Sequence, residues 1–255
     1  MKVFLINLDR DQERLRAADA QLKALGVAYE RMPAVNGKEL SREEKRSKVN
    51  RFRWWCAVGR PMTDGELGCA LSHAAVYHRM VEDGLPMACV LEDDVVLDMR
   101  FKAVLAVLEK RLEAAKPQVA LLSNHSSPDG QLGDGYNGFQ SPPEVTELSL
   151  EPVDADMFTE GYVVTQAGAA ALLRANEPVI TCCDWWGRRR RLGLIELYHA
   201  FPTVCRQDKV SFETSTQPEG CFDVRKLSRP LLVLYKFSRV LGKTMDWLLI
   251  CITGR

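Results

Sequence analysis

The sequence predicts an α/β fold in which a mixed, largely parallel sheet is flanked by helices and followed by an amphipathic helical tail. Short apolar strands alternate with amphipathic helices as far as residue 175, and this alternation is typical of parallel strand pairing. The chain has 255 residues, of which 46% are hydrophobic and 27% charged, so it can bury the core of one large domain. The predicted boundaries are 1–220 for the sheet domain and 221–255 for the tail.

Each strand is predicted from a short apolar run between turn residues, and each helix from apolar residues three and four positions apart. In chain order the predicted elements are a strand at 3–8, a helix at 12–25, a strand at 28–32, a helix at 64–83, a strand that ends in the acidic run 92–94, a helix at 101–115, strands at 119–123 and 161–165, and a helix at 166–175. Gly26 ends the first helix, whereas Thr63 or Asp64 caps the second and Gly84 ends it.

Two internal segments lack a periodic pattern. Residues 41–53 are polar and basic, and we expect them to be partly mobile. Residues 126–143 are rich in Gly, Pro, Ser and Asp, a composition typical of a functional or disordered loop. Neither segment contributes a helix or strand to the predicted fold.

The composition argues against several classes of protein. Lys plus Arg and Asp plus Glu both total 34, so the charge balance gives no reason to expect a nucleic acid partner. The eight cysteines include no CxxC pair, which favours reduced thiols over a zinc or redox motif. No apolar run approaches the roughly 18 residues of a membrane span, and the first residues are typical of a strand, not of a secretory signal. We therefore expect a cytoplasmic protein.

Residues 225–255 form a separate segment that is basic and amphipathic. Seven Lys or Arg residues alternate with Leu, Val, Phe and Trp, and Asp246 is the only acidic residue. Such a helix binds anionic lipid through apolar burial and charge attraction together. The prediction is an interfacial anchor at the inner face of the cytoplasmic membrane, and the alternative is an ordinary helix packed on the domain.

The most informative motif is the acidic run Glu92, Asp93 and Asp94 at the end of a predicted buried strand. Isolated buried carboxylates are costly, so three of them at a strand end require a counter-charge. A divalent metal ion that holds a phosphorylated substrate supplies one. The run by itself fits a solvated acidic turn equally well, and the surrounding sequence has to decide between the two.

Three ordered blocks of the sequence resemble glycosyltransferase family 25, which includes bacterial lipooligosaccharide galactosyltransferases and their collagen-modifying relatives. The blocks are 3–10 with Arg14 and 31–37, then 63–73 with 91–95, and then 160–165 with 168–169 and Asp184. The resemblance implies a GT-A-type, Rossmann-like sheet that binds a nucleotide sugar, with residues 92–94 as its acidic metal motif.

The resemblance further implies that Mn²⁺ or Mg²⁺ bridges the acidic run to the diphosphate of UDP-galactose or a similar donor. A hard divalent cation favours carboxylate oxygen and neutralises charge on the departing UDP. Asp94 is the expected metal ligand, with Glu92 close to the metal or to the donor sugar, where it is also a catalytic candidate. Asp93 is expected at the donor site with its side chain facing another way, where it serves structure.

Other positions of the matched blocks are expected to bind the donor. Open α/β sheets bind ligands at the carboxyl ends of their strands, where the first block lies. The donor-binding candidates are Asn7, Leu8, Arg10 and Arg14 at the first strand, Ala34, Asn36 and Gly37 near the uridine or ribose, and Ser72 and His73 on the helix before the metal strand. The alternative for Arg14 is a surface arginine, and the alternative for His73 is a structural histidine.

Asp184 is the candidate base. The family's galactosyltransferases invert the anomeric centre, and inversion requires a base on the acceptor hydroxyl. The indoles of Trp185 and Trp186 offer a platform for a sugar and surroundings that raise the basicity of an acid, whereas the alternative role of Asp184 is a helix cap. The basic run 188–191 is either a solvated surface or a site for phosphate on a glycolipid acceptor.

The predicted function is a metal-dependent, inverting glycosyltransferase that transfers a hexose, galactose by preference, from a UDP-sugar to a lipooligosaccharide or another surface glycan. The first alternative is an inactive relative that binds glycans or assists assembly. The second is a metal-dependent hydrolase, which is less favoured because adjacent strand carboxylates do not provide the separated acid and base that such reactions use.

Overall fold

The computed structural model describes residues 1–123, 148–152, 159–208, 233, 236–238 and 240–246. The elements in chain order are β1 (Lys2–Asn7), α1 (Gln12–Ala24), β2 (Glu30–Pro33), α2 (Arg42–Lys48), α3 (Arg51–Val58), α4 (Asp64–Glu82), β3 (Met87–Glu92), β4 (Val95–Leu97), α5 (Phe101–Arg111), β5 (Gln118–Leu121), β6 (Ser149–Pro152), β7 (Gly161–Thr165), α6 (Gln166–Asn176), α7 (Trp186–Arg191), β8 (Glu196–Phe201) and β9 (Cys205–Gln207). Every helix and strand predicted between residues 1 and 175 is present, with ends that differ by a few residues. The predicted loop 126–143 and the predicted domain boundary near 220 lie outside the described residues.

The main sheet has seven strands in the order β2-β1-β3-β7-β5-β8-β6. Five of them, β2, β1, β3, β5 and β8, run in one direction, whereas β7 and β6 run opposite to their neighbours. The predicted α/β class with a mixed, largely parallel sheet is therefore confirmed. Because β7 is reversed, its amino end lies beside the carboxyl end of β3, which brings loops from three parts of the chain to one edge.

Alternate residues of the central strands pack against helices on opposite faces of the sheet. On one face, Leu5 of β1 shares a buried cluster with Leu22 of α1 and Phe101 of α5. On the other face, Phe4 of β1 shares a cluster with Met80 of α4. These two cores fix the sheet from both sides, so the residues at the strand ends have a rigid support.

The polar segment 41–53, for which no helix was predicted, forms α2 and the start of α3. Ser41 and Glu44 make a reciprocal capping box at the start of α2, and Asn50 caps α3 through its side chain. α3 then buries Trp54 in a third core, with residues of α4. The sequence predicts no helix here because its charge-rich composition conceals the local caps and the one short apolar run that stabilise these helices.

The sequence does not predict four of the strands, namely β4, β6, β8 and β9. β4 pairs with β9 in a separate two-stranded sheet, and β6 pairs with β8 at the edge of the main sheet. β4, β6 and β9 have only three or four residues each, too few for alternation to be distinguished from a loop. The β4–β9 pair is important for the site because β4 directly follows the acidic run.

The described residues between 233 and 246 are helical, and one side of this C-terminal helix packs on the domain. Gly242 approaches α3 so closely that a Cβ atom there would lie 2.2 Å from the carbonyl oxygen of Cys56. Arg188 of α7 donates to the carboxylate of Asp246 at 2.6 and 3.0 Å. Among the described helices, none is both long and apolar enough to cross a bilayer.

Candidate functional site

An open cleft lies at the edge of the sheet where β1 and β3 end, with an empty volume of about 770 Å³ that includes space open to solvent. It is lined by Ile6, Asn7, Leu8, Arg10, Asp11, Arg14, Ala34, Val35, Asn36, Gly37, Lys38, Asp64, Gly65, Gly68, Cys69, Ser72, His73, Glu92, Asp93, Asp94 and Gln207. All ten predicted donor-binding residues belong to this set, together with Glu92 and Asp94. Two sequence blocks that are separate along the chain therefore form one surface.

Asn7 connects the end of β1 to the acidic run. Its buried side chain donates from Nδ2 to Oδ2 of Asp93 at 2.6 Å and to the carbonyl oxygen of Asp11 at 3.0 Å. Its Oδ1 accepts a hydrogen bond from Nε of Arg31 at 2.9 Å. Asn7 therefore uses its side chain to position the Asp93 carboxylate at the cleft and to hold the Arg31 guanidinium beside the end of β1.

Arg14 supplies positive charge beneath the acidic run. It lies in the first turn of α1, and its Nη1 is 3.3 Å from Oδ1 of Asp93 and 3.8 Å from Oδ2 of Asp94. The side chain is only 11% exposed, so the alternative of a surface arginine does not describe it. Its charge partly offsets the repulsion between two neighbouring carboxylates.

Asp94 lies in the turn between β3 and β4, and β9 holds this turn in place. Gln207 donates from Nε2 to Oδ2 of Asp94 at 2.9 Å, and the backbone N–H of Asp208 donates to the Asp94 carbonyl oxygen at 2.6 Å. Oδ1 of Asp94 is buried and has no hydrogen-bond partner among the described residues. Burial, followed by the charge of Glu92, raises the pKa of Asp94 to about 6, although Gln207 and Arg14 act in the opposite direction.

Glu92 ends β3 and begins a chain of polar side chains that leads into the core. Its Oε1 lies 3.2 Å from Nε2 of His73 and accepts a hydrogen bond from the hydroxyl of Thr159. Nδ1 of His73 lies 2.7 Å from the hydroxyl oxygen of Tyr162, which is 2.7 Å from that of Tyr77. Burial raises the pKa of Glu92, but His73 and Thr159 outweigh it, so this pKa lies below its ordinary value. Glu92 is therefore an ionised carboxylate at the cleft wall.

The loop after β2 closes the side of the cleft next to α4. Ser72 accepts a hydrogen bond from the backbone N–H of Val35 at 2.8 Å and donates to the carbonyl oxygen of Gly68 at 2.7 Å. A Cβ atom on Gly37 would lie 1.9 Å from the carbonyl oxygen of Asp64, and one on Gly68 would lie 2.5 Å from that of Val35. Glycine at both positions permits this close approach. Ser72 thus positions the loop that carries the predicted uridine-binding residues.

Asp184 stands next to the cleft without lining it. The Sγ atom of the preceding residue, Cys183, is 3.1 Å from Sγ of Cys69, which lines the cleft. The hydrogen bond with Cys183 and burial raise the pKa of Cys69, and the charge of Asp184 adds to this shift. Trp185, not Asp184, is the N-cap residue of α7, and the Trp185 side chain makes no capping hydrogen bond.

Part of the basic run in α7 lies inside the protein. Arg189 is buried, donates to the carbonyl oxygens of Cys182, at 2.9 Å, and Cys183, and has its guanidinium carbon 5.2 Å from the centroid of the Trp186 ring. Arg188 makes the ion pair with the C-terminal helix described above. Because these groups are engaged in internal contacts, neither arginine belongs to a solvated surface, and the alternative of a phosphate site does not describe either of them. The expected sugar platform is wrong for Trp186, whose side chain is fully buried.

Three residues that shape the site have no predicted role in the sequence: Arg31, Thr159 and Gln207. Arg31 belongs to the first block, and Thr159 immediately precedes the third, so proximity to the blocks was an available signal for both. Gln207 lies on a three-residue strand far from Asp94 in sequence. Its contact depends on the pairing of β4 with β9, and no local pattern encodes that pairing.

Comparison with known proteins gives two kinds of match. Residues 1–186 match the family model described as "Glycosyltransferase family 25 (LPS biosynthesis protein)". Procollagen galactosyltransferase 1-A of Xenopus laevis is 33% identical over 184 residues, which cover 70% of this chain and 29% of that protein. A glycosyltransferase 25 family member of Drosophila pseudoobscura pseudoobscura is 31% identical over 179 residues, or 68% of this chain and 27% of the relative. Procollagen galactosyltransferase 2 of Homo sapiens is 28% identical over 180 residues, which cover 69% of this chain and 28% of that protein.

In each of these comparisons the chain spans less than a third of the relative's length. The segment that matches the family model includes β1, the acidic run and Asp184, and it ends before β8 and β9. It therefore contains all three blocks on which the resemblance was based. The prediction is confirmed, and the chain belongs to glycosyltransferase family 25.

Proposed function

We propose that this protein is a metal-dependent glycosyltransferase that transfers a hexose from a UDP-sugar to a glycan or glycolipid. The observation that carries the proposal is the convergence of all predicted donor-binding residues on one cleft beside a buried carboxylate oxygen of Asp94 that has no partner among the described residues. Galactose is the preferred sugar because two of the relatives are named procollagen galactosyltransferases. The words "LPS biosynthesis protein" in the family description support a lipooligosaccharide or another surface glycan as the acceptor.

The acidic run fits a divalent cation. Asp94 offers the unpaired oxygen Oδ1, and Glu92 is a second, ionised carboxylate at the same cleft. Both oxygens of Asp93 are engaged by Asn7 and Arg14. A donor set of oxygen atoms suits Mn²⁺ or Mg²⁺, with Asp94 as the first ligand and Glu92 as the second. When bound, such an ion neutralises negative charge on the departing diphosphate.

The rest of the cleft suits the UDP part of the donor. Arg10 and Lys38 bring positive charge to the cleft. Both attract an anionic diphosphate. The loop with Ala34, Asn36 and Gly37 offers backbone groups and one side-chain amide to the ribose and uracil.

Inversion at the sugar C1 requires a carboxylate that takes the proton from the acceptor hydroxyl. The acceptor oxygen forms the new bond to C1 while the bond from C1 to the UDP oxygen breaks and UDP leaves with its electron pair. Asp184 is our candidate because it adjoins the cleft wall and its charge raises the pKa of Cys69 there. Glu92 is the second candidate because it is ionised and lines the cleft itself.

The test measures UDP release from UDP-galactose with and without a panel of glycan acceptors, in Mn²⁺ and in EDTA. We expect release that depends on the acceptor and stops in EDTA. Asp94→Asn should lower kcat/KM by about 100-fold or more, while Asp83→Asn, the same change at the C-cap of α4, should leave it unchanged. Asp184→Asn and Glu92→Gln distinguish the two candidates for the base, with UDP binding of each variant measured by calorimetry. The base is the residue whose substitution abolishes turnover while UDP still binds.

The alternatives give different results in the same assay. Release of UDP without any acceptor would indicate a metal-dependent hydrolase. Binding of UDP and of a glycan without release of UDP would indicate an inactive relative that acts as a binding module. Full activity in EDTA would contradict the assignment of Asp94 and Glu92 as metal ligands.

We also propose that the C-terminal helix rests on the anionic inner face of the cytoplasmic membrane. Val233, Phe237 and Val240 are 66%, 59% and 63% exposed and follow each other at intervals of four and three residues, so they share one side of the helix. Ser238 and Gly242, by contrast, are buried. The helix thus has one side against the domain and an apolar side that faces outward.

The charges of this helix also suit anionic lipid. Lys236 and Lys243 are exposed, and the negative charge of Asp246 is paired with Arg188. Apolar burial and attraction to anionic headgroups then act together.

The test of the membrane proposal is co-sedimentation with vesicles that contain phosphatidylglycerol or only phosphatidylcholine. The wild type should bind the anionic vesicles, and Phe237→Ser should weaken this binding by about tenfold, the loss expected for one apolar side chain. Val81→Ser is the control, because Val81 is 41% exposed on α4 and not on the C-terminal helix. Equal binding by wild type and Phe237→Ser would contradict the proposal and would leave the sugar-transfer proposal unaffected.

A further inference from the structure

Three side chains that bind soft metals converge on the wall between the cleft and Asp184. Cys69 and His73 lie four residues apart on α4, so they share one side of the helix, and Cys183 approaches from the segment before α7. One ligand atom from each lies within 4.8 Å of the other two, and the two Sγ atoms are 3.1 Å apart. Within the described part of the chain, this is the only group of three or more His, Cys, Asp or Glu side chains whose ligand atoms lie close enough together to hold one metal ion.

The surroundings hold these three side chains in place. Nδ1 of His73 lies 2.7 Å from the hydroxyl oxygen of Tyr162, and the two rings stack with their centroids 5.7 Å apart. Arg189 donates to the carbonyl oxygens of Cys182 and Cys183 and so fixes the backbone that carries the second thiol. A histidine whose Nδ1 bonds to a neighbour presents Nε2 in a fixed direction, as in established metal sites.

The local charge also favours a cation. The hydrogen bond with Cys183 and burial raise the pKa of the Cys69 thiol, and the negative charges of Glu92 and Asp184 raise it further. The same negative field that disfavours an isolated thiolate attracts a divalent ion. An ion that replaces the thiol protons would therefore relieve the electrostatic cost of forming two thiolates beside two carboxylates.

We propose that Cys69, His73 and Cys183 bind a thiophilic divalent cation such as Zn²⁺ at a site separate from the acidic run. Binding forms two metal–sulfur bonds and one metal–nitrogen bond, and the two thiol protons pass to solvent, so no oxidant or reductant is needed. A water molecule can complete the fourfold set, as in zinc sites with three protein ligands. Thiolate and imidazole favour Zn²⁺, whereas carboxylate oxygen favours Mn²⁺ or Mg²⁺, so the two sites take different ions.

An ion at this site would join the two sides of the proposed reaction centre. Cys69 lines the donor cleft, and Cys183 directly precedes Asp184. The ion would hold the Asp184 segment against α4 and would draw His73 away from Glu92. The Zn²⁺ site itself does not depend on sugar transfer, and its test uses binding and not activity.

The first experiment titrates the reduced, metal-free full chain with Co²⁺ as a spectroscopic probe for Zn²⁺. We expect a thiolate-to-cobalt charge-transfer band that saturates at one Co²⁺ per chain and that Zn²⁺ removes. Cys69→Ser and Cys183→Ser should each lose this band and weaken Co²⁺ binding by more than about tenfold. Cys182→Ser, a matched change at the adjacent cysteine, should keep both, and so should Asp94→Asn.

The second experiment uses only the wild type, so it does not depend on how the variants fold. Zn²⁺ should protect Cys69 and Cys183 from alkylation by iodoacetamide, measured by mass spectrometry of the digested protein, while Cys182 keeps its rate. A charge-transfer band that survives both Cys69→Ser and Cys183→Ser would overturn the proposal. Loss of the band in Asp94→Asn, or equal alkylation of Cys69 with and without Zn²⁺, would also overturn it.

Discussion

Asp94→Asn is expected to stabilise the metal-free protein while it removes the response to metal. The carboxylate of Asp94 is buried, and its pKa is raised from the ordinary 3.8 to about 6. At pH 8 the folded protein therefore carries a charge that costs about 3 kcal/mol relative to the unfolded chain. Asparagine has the same shape without the charge, so this cost is the upper limit of the gain. We expect the free energy of unfolding to rise by about 1–3 kcal/mol.

The pH dependence of this gain has a definite sign. Because the pKa of Asp94 is higher in the folded protein than in the unfolded chain, the stabilisation by the bound proton is complete below about pH 4 and is lost as the pH rises through about 6. The difference between Asp94→Asn and the wild type should be near zero at pH 4 and complete at pH 8. Mn²⁺ at about 100 times its Kd should stabilise the wild type by about 2.7 kcal/mol at pH 8 and leave the variant unchanged.

Urea unfolding followed by tryptophan fluorescence, in EDTA and in Mn²⁺, measures both effects. Asp98→Asn is the matched control, because Asp98 is also buried but accepts hydrogen bonds from the guanidinium of Arg100 at 2.7 and 2.9 Å. Asparagine at this position should destabilise the protein. Equal stability of Asp94→Asn and the wild type at pH 8 in EDTA, or an Mn²⁺ response that persists in the variant, would refute the reasoning.

Three further substitutions test the contacts that position the cleft. Gly68→Ala should weaken UDP binding severalfold in calorimetry, because the new Cβ atom would lie 2.5 Å from the carbonyl oxygen of Val35. The overpacking costs about 1–3 kcal/mol, which exceeds the gain of about 1 kcal/mol in helix propensity. Unchanged affinity for UDP would contradict this prediction. Asn7→Ala should lower the free energy of unfolding, measured in urea, by about 2–4 kcal/mol, because it removes the buried hydrogen bonds to Asp93 and from the Arg31 guanidinium. A loss below about 1 kcal/mol would be inconsistent with this prediction. Arg188→Ala should speed amide exchange in 240–246, because its ion pair with the C-terminal helix is lost, and unchanged protection would show that other contacts hold the helix.

The sequence predicts the elements of this fold because their signals are local. Apolar runs predict the buried strands, and the reciprocal contact of Thr63 with Glu66 starts α4 where the capping pattern indicates. The order and direction of the strands are not local properties. Leu91 pairs with Gly161 in the reversed strand β7, and a strand with both faces buried carries no pattern that fixes the direction of its neighbour. The sequence therefore predicts the parts more completely than their arrangement.

The same limit applies to the cleft. Its donor-side residues were predictable because parallel strands bring their carboxyl ends to one edge, and the family blocks lie at those ends. The contacts between them were not. Nothing in the sequence pairs Asn7 with Asp93 or Gln207 with Asp94, because these bonds depend on strand register and on the short β4–β9 sheet. The functional difference between the two aspartates follows from these long-range contacts.

The fold gives the adjacent residues Asp93 and Asp94 different roles. Asp93 has one oxygen 2.6 Å from Nδ2 of Asn7 and the other 3.3 Å from Nη1 of Arg14, so its carboxylate ties the end of β1 to the end of β3. Asp94 has one oxygen bonded to Gln207 and one buried oxygen without a partner among the described residues. A buried carboxylate that lacks part of its hydrogen bonds destabilises the fold. A cation that binds the unpaired oxygen removes this destabilisation, and the free energy recovered contributes to the affinity for the cation. This is the physical reason to expect that substitution of Asp94 removes metal dependence, whereas substitution of Asp93 primarily loosens the junction of β1 and β3.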